Sequence, residues 1–376
     1  MINEKRLVQE FMRLASIDSP SRQEGNISRY LKSVLQNLGA DPLEDDAARS
    51  TGGEAGNIFG RLKGEKGLPA IILNAHMDTV SPGISVEPHI VDETILSRGE
   101  TILGADDKSG IAIILEVLKV LKETGITHGD IEILFTVCEE VGLLGAKNFD
   151  VSIVEAEFGY TLDSQQSGSL TYAAPASNHI VFRIYGKESH AGIAPENGIS
   201  AIQLAGAALS KMQLGRIDHE TTANIGIIKG GGASNIIPAM VEMEGESRSH
   251  KMEKLQRQTD GMIKAVGETI KDFNANSNDG LTARWEVDVR LDYPALKLDS
   301  RCMAVSGARR TGKKLGIDVP LITGGGGSDI NIFNDKGIEM ANLGTGMKNV
   351  HTNNESIKID DMVKAAALLL EIVKAV

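Results

Sequence analysis

Short apolar runs alternate with longer amphipathic ones over residues 1–176, and that alternation restricts the fold to crossover units around a largely parallel sheet. Residues 70–75 read as a buried strand and 131–137 as another, entered from Gly129 and Asp130. Between them, residues 109–122 set Glu116, Lys119 and Lys122 on one stripe and Ile113, Ile114, Val117 and Leu121 elsewhere, as a helix packed on a sheet does. Residues 1–20 mix charge with apolar Leu7, Phe11 and Leu14 at helical spacing and open the chain as an ordinary helix, not a secretion signal.

The texture changes near Ser177. Strand-like stretches at 180–185, 222–228, 240–244 and 281–289 are interleaved with helical ones at 198–212 and 251–273. After Tyr293 and Pro294 the first pattern returns, with a helix over 302–315, a strand over 319–323, a glycine loop and a last helix from about Asp360. The expected class is therefore α/β. A mixed, largely parallel sheet domain is built from 1–176 and 294–376 and carries an inserted α+β unit, 177–293.

The length of 376 residues suits two such domains. Lys and Arg number 39 against 51 Asp and Glu, a net charge of −12, which disfavours nucleic acid and anionic membranes as partners. The most apolar stretches, 111–121 and 365–376, are broken by Glu116, Lys119, Glu371 and Lys374, so neither reads as a membrane span. Two cysteines, Cys138 and Cys302, cannot form a disulfide framework, which points to a reducing, cytoplasmic location.

Chemistry is concentrated at the strand ends. His76 and Asp78 follow the 70–75 strand two residues apart; in extended chain they share a face, and a carboxylate there can fix the imidazole tautomer so that its other nitrogen meets a metal. A strand cap and a turn would leave the same trace. Asp106 and Asp107 enter the 109–122 helix, where acidic side chains are favoured for their own sake, but on a loop that can reach the same sheet edge. Glu139 and Glu140 directly follow the 131–137 strand and repel each other unless cations compensate or the pair opens a surface helix. Asp163 and His351 lie at further strand ends or loops, where open α/β sheets build their sites. A histidine–carboxylate set without thiolates suits zinc, cobalt or manganese. Two divalent ions bring +4, and Asp106, Glu140, Asp163 and a bridging hydroxide return it to zero, as a poorly solvated cluster requires.

The blocks HMDTV at 76–80, GADDKSG at 104–110, CEEVGLLGA at 138–146, LDS at 162–164 and SHAG at 189–192 resemble those of the M20 family of co-catalytic metallopeptidases, the tripeptidase T branch above all. So do ASNIIPA at 233–239, SRSH at 247–250, GGGGSDINIF at 324–333 and NVHTNNE at 349–355. The resemblance implies that His76 and Asp163 hold one metal, Glu140 and His351 the other, and that Asp106 bridges them, zinc being the first candidate. It implies that Glu139 is the general base and that Asp78 orients His76. It also makes 177–293 a lid and dimerisation domain whose His190 reaches the partner subunit's active site to stabilise the oxyanion. Arg248 and Asn235 would grip a substrate carboxylate, aided by backbone donors from Gly325, Gly326 and Ser328. That glycine loop lacks the following Lys of a phosphate loop and otherwise reads as a turn.

The function implied is a di-metal aminopeptidase of short peptides, tripeptides in particular, working as a homodimer. The segment between Asp78 and Asp106 is shorter than in the tripeptidase T branch, which keeps dipeptidase, carboxypeptidase and N-acyl-amino-acid amidohydrolase activities in play. A non-catalytic peptide- or metal-binding protein on the same scaffold is the alternative of another class. The presence of Glu139 argues against it, because a binding site has little use for an uncoordinated carboxylate beside its metals.

Overall fold

Strand Ile71–His76 is buried at every position, as a strand covered on both faces must be, and its aliphatic run Ile71, Ile72, Leu73 explains why. It runs parallel to both neighbours, Ile131–Thr136 and Phe158–Ser164, and the latter is parallel to Glu339–Gly344. These four are the centre of a nine-stranded sheet that continues on one side through the antiparallel strands Ile58–Leu62 and Leu43–Glu44. On the other side it continues through Leu170–Ala174, antiparallel to Glu339–Gly344. The mixed α/β fold with a parallel centre agrees with the sequence expectation.

The model is a computed structural model and describes residues 1–277 and 280–375. Contacts divide the chain into two units: Met1–Ala173 with Leu296–Val376, and Ala174–Ala295. In the first, helix Ala105–Thr124 packs on the central strands and is itself covered by Glu4–Ala15 and Ile359–Val373. That cover explains the Glu116–Lys119 stripe: Glu116 is buried and accepts from Arg6 Nε and Asn3 N, while Lys119 Nζ meets Glu10. The helix is longer than the sequence pattern indicates, but Asp106 and Asp107 have non-helical dihedral angles and are joined by a cis peptide, so its regular part starts at Lys108.

A polar rung crosses the buried sheet. Asn74 Nδ2 donates to Leu134 O at 3.1 Å and Thr161 Oγ1 donates to Asn74 Oδ1 at 2.8 Å. Buried polar groups in a parallel sheet need such partners, and these fix the register of three strands. A one-residue slip would turn His76 to the opposite face.

The second unit is a five-stranded antiparallel sheet in which Ala176–Tyr185 lies between Met240–Ser249 and Arg284–Tyr293. Helices Ala201–Lys211 and Met252–Asn276 close its own core around Phe182, Ile184, Val241 and Met262. The last strand begins at Arg284, not at residue 281 as its apolar start implies. Helix Gly25–Leu38 and the hairpin Pro88–Val91 with Thr94–Ser97 complete the first unit.

Candidate metal centre

The site lies at the C-terminal edge of the parallel strands, where open α/β sheets bind their ligands. Strand Ile71–His76 delivers His76, the turn after Ile131–Thr136 delivers Glu139 and Glu140, and Phe158–Ser164 delivers Asp163. His76 Nε2 is 3.0 Å from Asp106 Oδ1, and Asp106 Oδ2 is 3.2 Å from His351 Nε2. His351 Nε2 also lies 3.0 Å from Glu140 Oε1. Asp106 thus stands between the two imidazoles, one oxygen toward each. Ligand atoms of His76, Asp106 and Glu140 lie within 4.8 Å of one another, and so do those of His76, Asp107 and Asp163.

Buried side-chain oxygens hold the backbone of most of these residues. Asp78 Oδ1 accepts from Glu139 N at 2.9 Å and Oδ2 from Glu140 N at 3.2 Å and Ser21 Oγ at 2.6 Å. Glu24 Oε1 accepts from Cys138 N at 3.1 Å, steadying a turn in which Cys138 has φ +52°, a costly conformation for a residue with a side chain. Asp107 Oδ2 accepts from His76 N, and Asn342 Oδ1 from Asp163 N at 2.8 Å. His76 Nδ1 donates to the carbonyl oxygen of Asp78 at 2.9 Å, which leaves Nε2 for the cluster.

The electrostatics are those of a cation site. Burial pushes the carboxyls of Glu139 and Asp163 well above the usual range, and neighbouring carboxylates push them further. Burial also opposes ionisation of Asp106, but the hydrogen bonds of His351 and His76 outweigh it and hold Asp106 well below its ordinary value. Asp106 and Glu140 in turn raise His351 to about 10. His76 is raised too, burial being overcome by Asp106 and Asp78. No lysine or arginine pairs with Asp78, Asp106, Asp107, Glu139, Glu140, Asp163 or Asp329 among the described residues. Ionising all seven carboxyls beside only two imidazoles would leave an anionic excess that divalent cations would neutralise, and the nitrogen–oxygen donor set fits them.

Glu139 differs from its neighbour: it is 9% exposed, yet its carboxylate makes no hydrogen bond among the described residues. Glu24, Asp329, Asn342 and Glu355 lie outside the site residues expected from the sequence, and Asp107 reads there only as a helix-entry acid. Asp329 and Glu355 stand inside the conspicuous motifs but at positions whose contacts only the fold supplies.

Ser328 caps helix Asp329–Asp335 and its Oγ lies 3.4 Å from Asn342 Nδ2, while Gly325 and Gly326 are exposed. The remaining expected residues belong to the second unit. His190 is exposed and pairs with Ile236 across two short strands, where Ala191 N donates to Asn235 O at 2.9 Å, so His190 and Asn235 are neighbours. Arg248, on Met240–Ser249, donates from Nη2 to Glu246 at 2.8 Å, and its Nε is buried with no hydrogen-bond partner among the described residues.

A parallel α/β sheet ending in a carboxylate–imidazole cluster with one free carboxylate beside it is an arrangement suited to metal-assisted hydrolysis. The chain belongs to the peptidase family M20/M25/M40, whose model matches residues 72–375. A tripeptidase from Staphylococcus aureus superposes with a TM-score of 0.91 at 40% identity, covering 100% of this chain and 98% of that one. The aminopeptidase PepT from Bacillus cereus gives 0.87 at 41% identity, with 100% and 99% covered. The uncharacterized protein YqjE of Bacillus subtilis is 43% identical over 375 residues, 100% of this chain and 99% of its own length.

Proposed function

We propose that the protein is a zinc aminopeptidase that removes the first residue of short peptides, tripeptides foremost. The observation that carries it is the free, buried carboxylate of Glu139 beside a ligand set that uses its neighbour Glu140. The names borne by the relatives at 40 and 41% identity support the substrate class. His76 and Asp163 would hold one ion, Glu140 and His351 the other, and Asp106 would serve both. Divalent ions held there would supply Lewis acidity to a peptide carbonyl and to water.

The chain's own residues do the rest. Glu139, with a carboxyl raised by burial, takes a proton from the attacking water and returns it to the leaving amine. Asp78 aims both glutamates by holding their peptide N–H groups. The second unit would serve as lid and dimerisation domain, with His190 donating to the oxyanion in the partner subunit and Arg248 and Asn235 gripping the peptide's carboxylate.

Chelator-treated protein with zinc restored should release alanine from Ala-Ala-Ala and not from acetyl-Ala-Ala-Ala. Equal cleavage of the blocked peptide, or release from the carboxyl end, would overturn the reading, and a series from di- to tetrapeptide sets the preferred length.

A further inference from the structure

Glu355 is a buried acid that the proposed chemistry leaves unused, and its contacts reach the ligands. It is 1% exposed and lies four residues beyond His351, on the loop joining the paired strands Met347–Lys348 and Ser356–Lys358. Both its oxygens are committed to peptide N–H groups of a distant segment. Leu103 N and Gly104 N donate to Oε2 at 2.8 and 2.7 Å, and Asp106 N donates to Oε1 at 3.0 Å. The turn that presents these donors needs its glycine: Gly104 has φ +75°, and an added Cβ would stand 3.3 Å from Thr79 Cγ2.

Three N–H donors converging on one side chain call for two acceptor oxygens, which a carboxylate has and an amide lacks. An acid so engaged is not free to coordinate. It joins the loop carrying His351 to the peptide of Asp106, the residue that faces both imidazoles. His351 itself has φ +63°, a left-handed conformation that a non-glycine residue keeps only where its surroundings hold it.

We propose that Glu355 is a positioning residue of the metal centre, which sets the spacing of Asp106 and His351 by gripping the Asp106 peptide from the His351 loop. The role rests on the two-cation reading of the site. Glu355→Gln keeps one oxygen, so at least one of the three N–H groups meets an amide NH2 instead of an acceptor. Glu355→Asp keeps the charge but withdraws it by one methylene.

Zinc titration of the chelator-treated full chain should show two sites in the wild type and, in E355Q, about 10- to 100-fold weaker binding at one of them. The cobalt-loaded variant should show an altered d–d absorption spectrum. A purely structural role would lower the melting temperature of the stripped protein and leave affinity and spectrum unchanged, and that result overturns the proposal. Should circular dichroism show E355Q unfolded, E355D decides on the same measurements. Failure of the wild type to bind zinc brings down the two-cation reading and this role together, whereas wild-type affinity in the variant brings down the role alone.

Discussion

Replacing Asp329 by asparagine measures what the carboxylate cluster costs the metal-stripped protein. Asp329 is 1% exposed; its Oδ2 accepts from Thr136 Oγ1 at 2.5 Å and its Oδ1 has no hydrogen-bond partner among the described residues. Burial, reinforced by the charge of Asp78 and only partly offset by Thr136 and His76, raises its carboxyl from 3.8 to about 6. A folded-state value above the unfolded one means that the folded protein holds the proton more tightly. The cost is therefore absent below about pH 4, grows as pH rises through about 6, and is complete above it. About 2 units at ~1.4 kcal/mol each give about 3 kcal/mol, or roughly 6–12 °C in melting temperature at about 2–4 °C per kcal/mol for a unit of this size. The asparagine carries its own packing penalty, but that penalty is the same at every pH. Scanning calorimetry in EDTA should thus find the variant-minus-wild-type difference more positive at pH 8 than at pH 4 by about that amount. An equal difference at both pH values would refute the reasoning.

Glu139→Gln should lower turnover by about 10²–10⁴-fold while zinc stoichiometry stays at the wild-type value; loss of metal would make Glu139 a ligand instead. Because His351 is raised to about 10, it is protonated in the stripped protein at pH 7, and His76 is shifted in the same direction, so zinc binding should expel protons and tighten as pH rises. Calorimetric titration in buffers of different ionisation enthalpy checks this, and a heat independent of buffer contradicts it. Mixed dimers of Glu139→Gln and His190→Ala chains should regain part of the activity that each lacks alone, and no recovery after subunit exchange argues against sharing across subunits.

The sequence shows its strand ends clearly because a strand buried on both faces is mostly apolar and keeps only those polar residues that find partners within the fold. His76 after Ile71, Ile72 and Leu73, or Glu139 and Glu140 after 131–137, stand out against an apolar run. Helix Gly25–Leu38 and the short hairpin at 88–97 lack that contrast. The support of the site is harder still to read, since an acceptor for a peptide N–H leaves no pattern of its own. Glu355 serves Leu103, Gly104 and Asp106 across a gap in sequence that only folding closes, and Asn342 reads as one more strand residue until its amide is seen holding Asp163. Asp107 looks like a second helix-entry acid, yet its carboxylate is turned back onto His76 N.

Strand Glu339–Gly344 is slotted between Phe158–Ser164 and Leu170–Ala174, although it is made long after both. At 5–20 residues per second a ribosome needs roughly 10–40 s to reach it, and throughout that interval Phe158–Ser164 keeps a bare edge. The second unit, with a core of its own, can fold during the wait, so the nascent chain is half finished and sticky at once. Its moment of greatest exposure to aggregation, and its greatest claim on a chaperone, comes just before that strand arrives, which is also before His351 can complete the cluster.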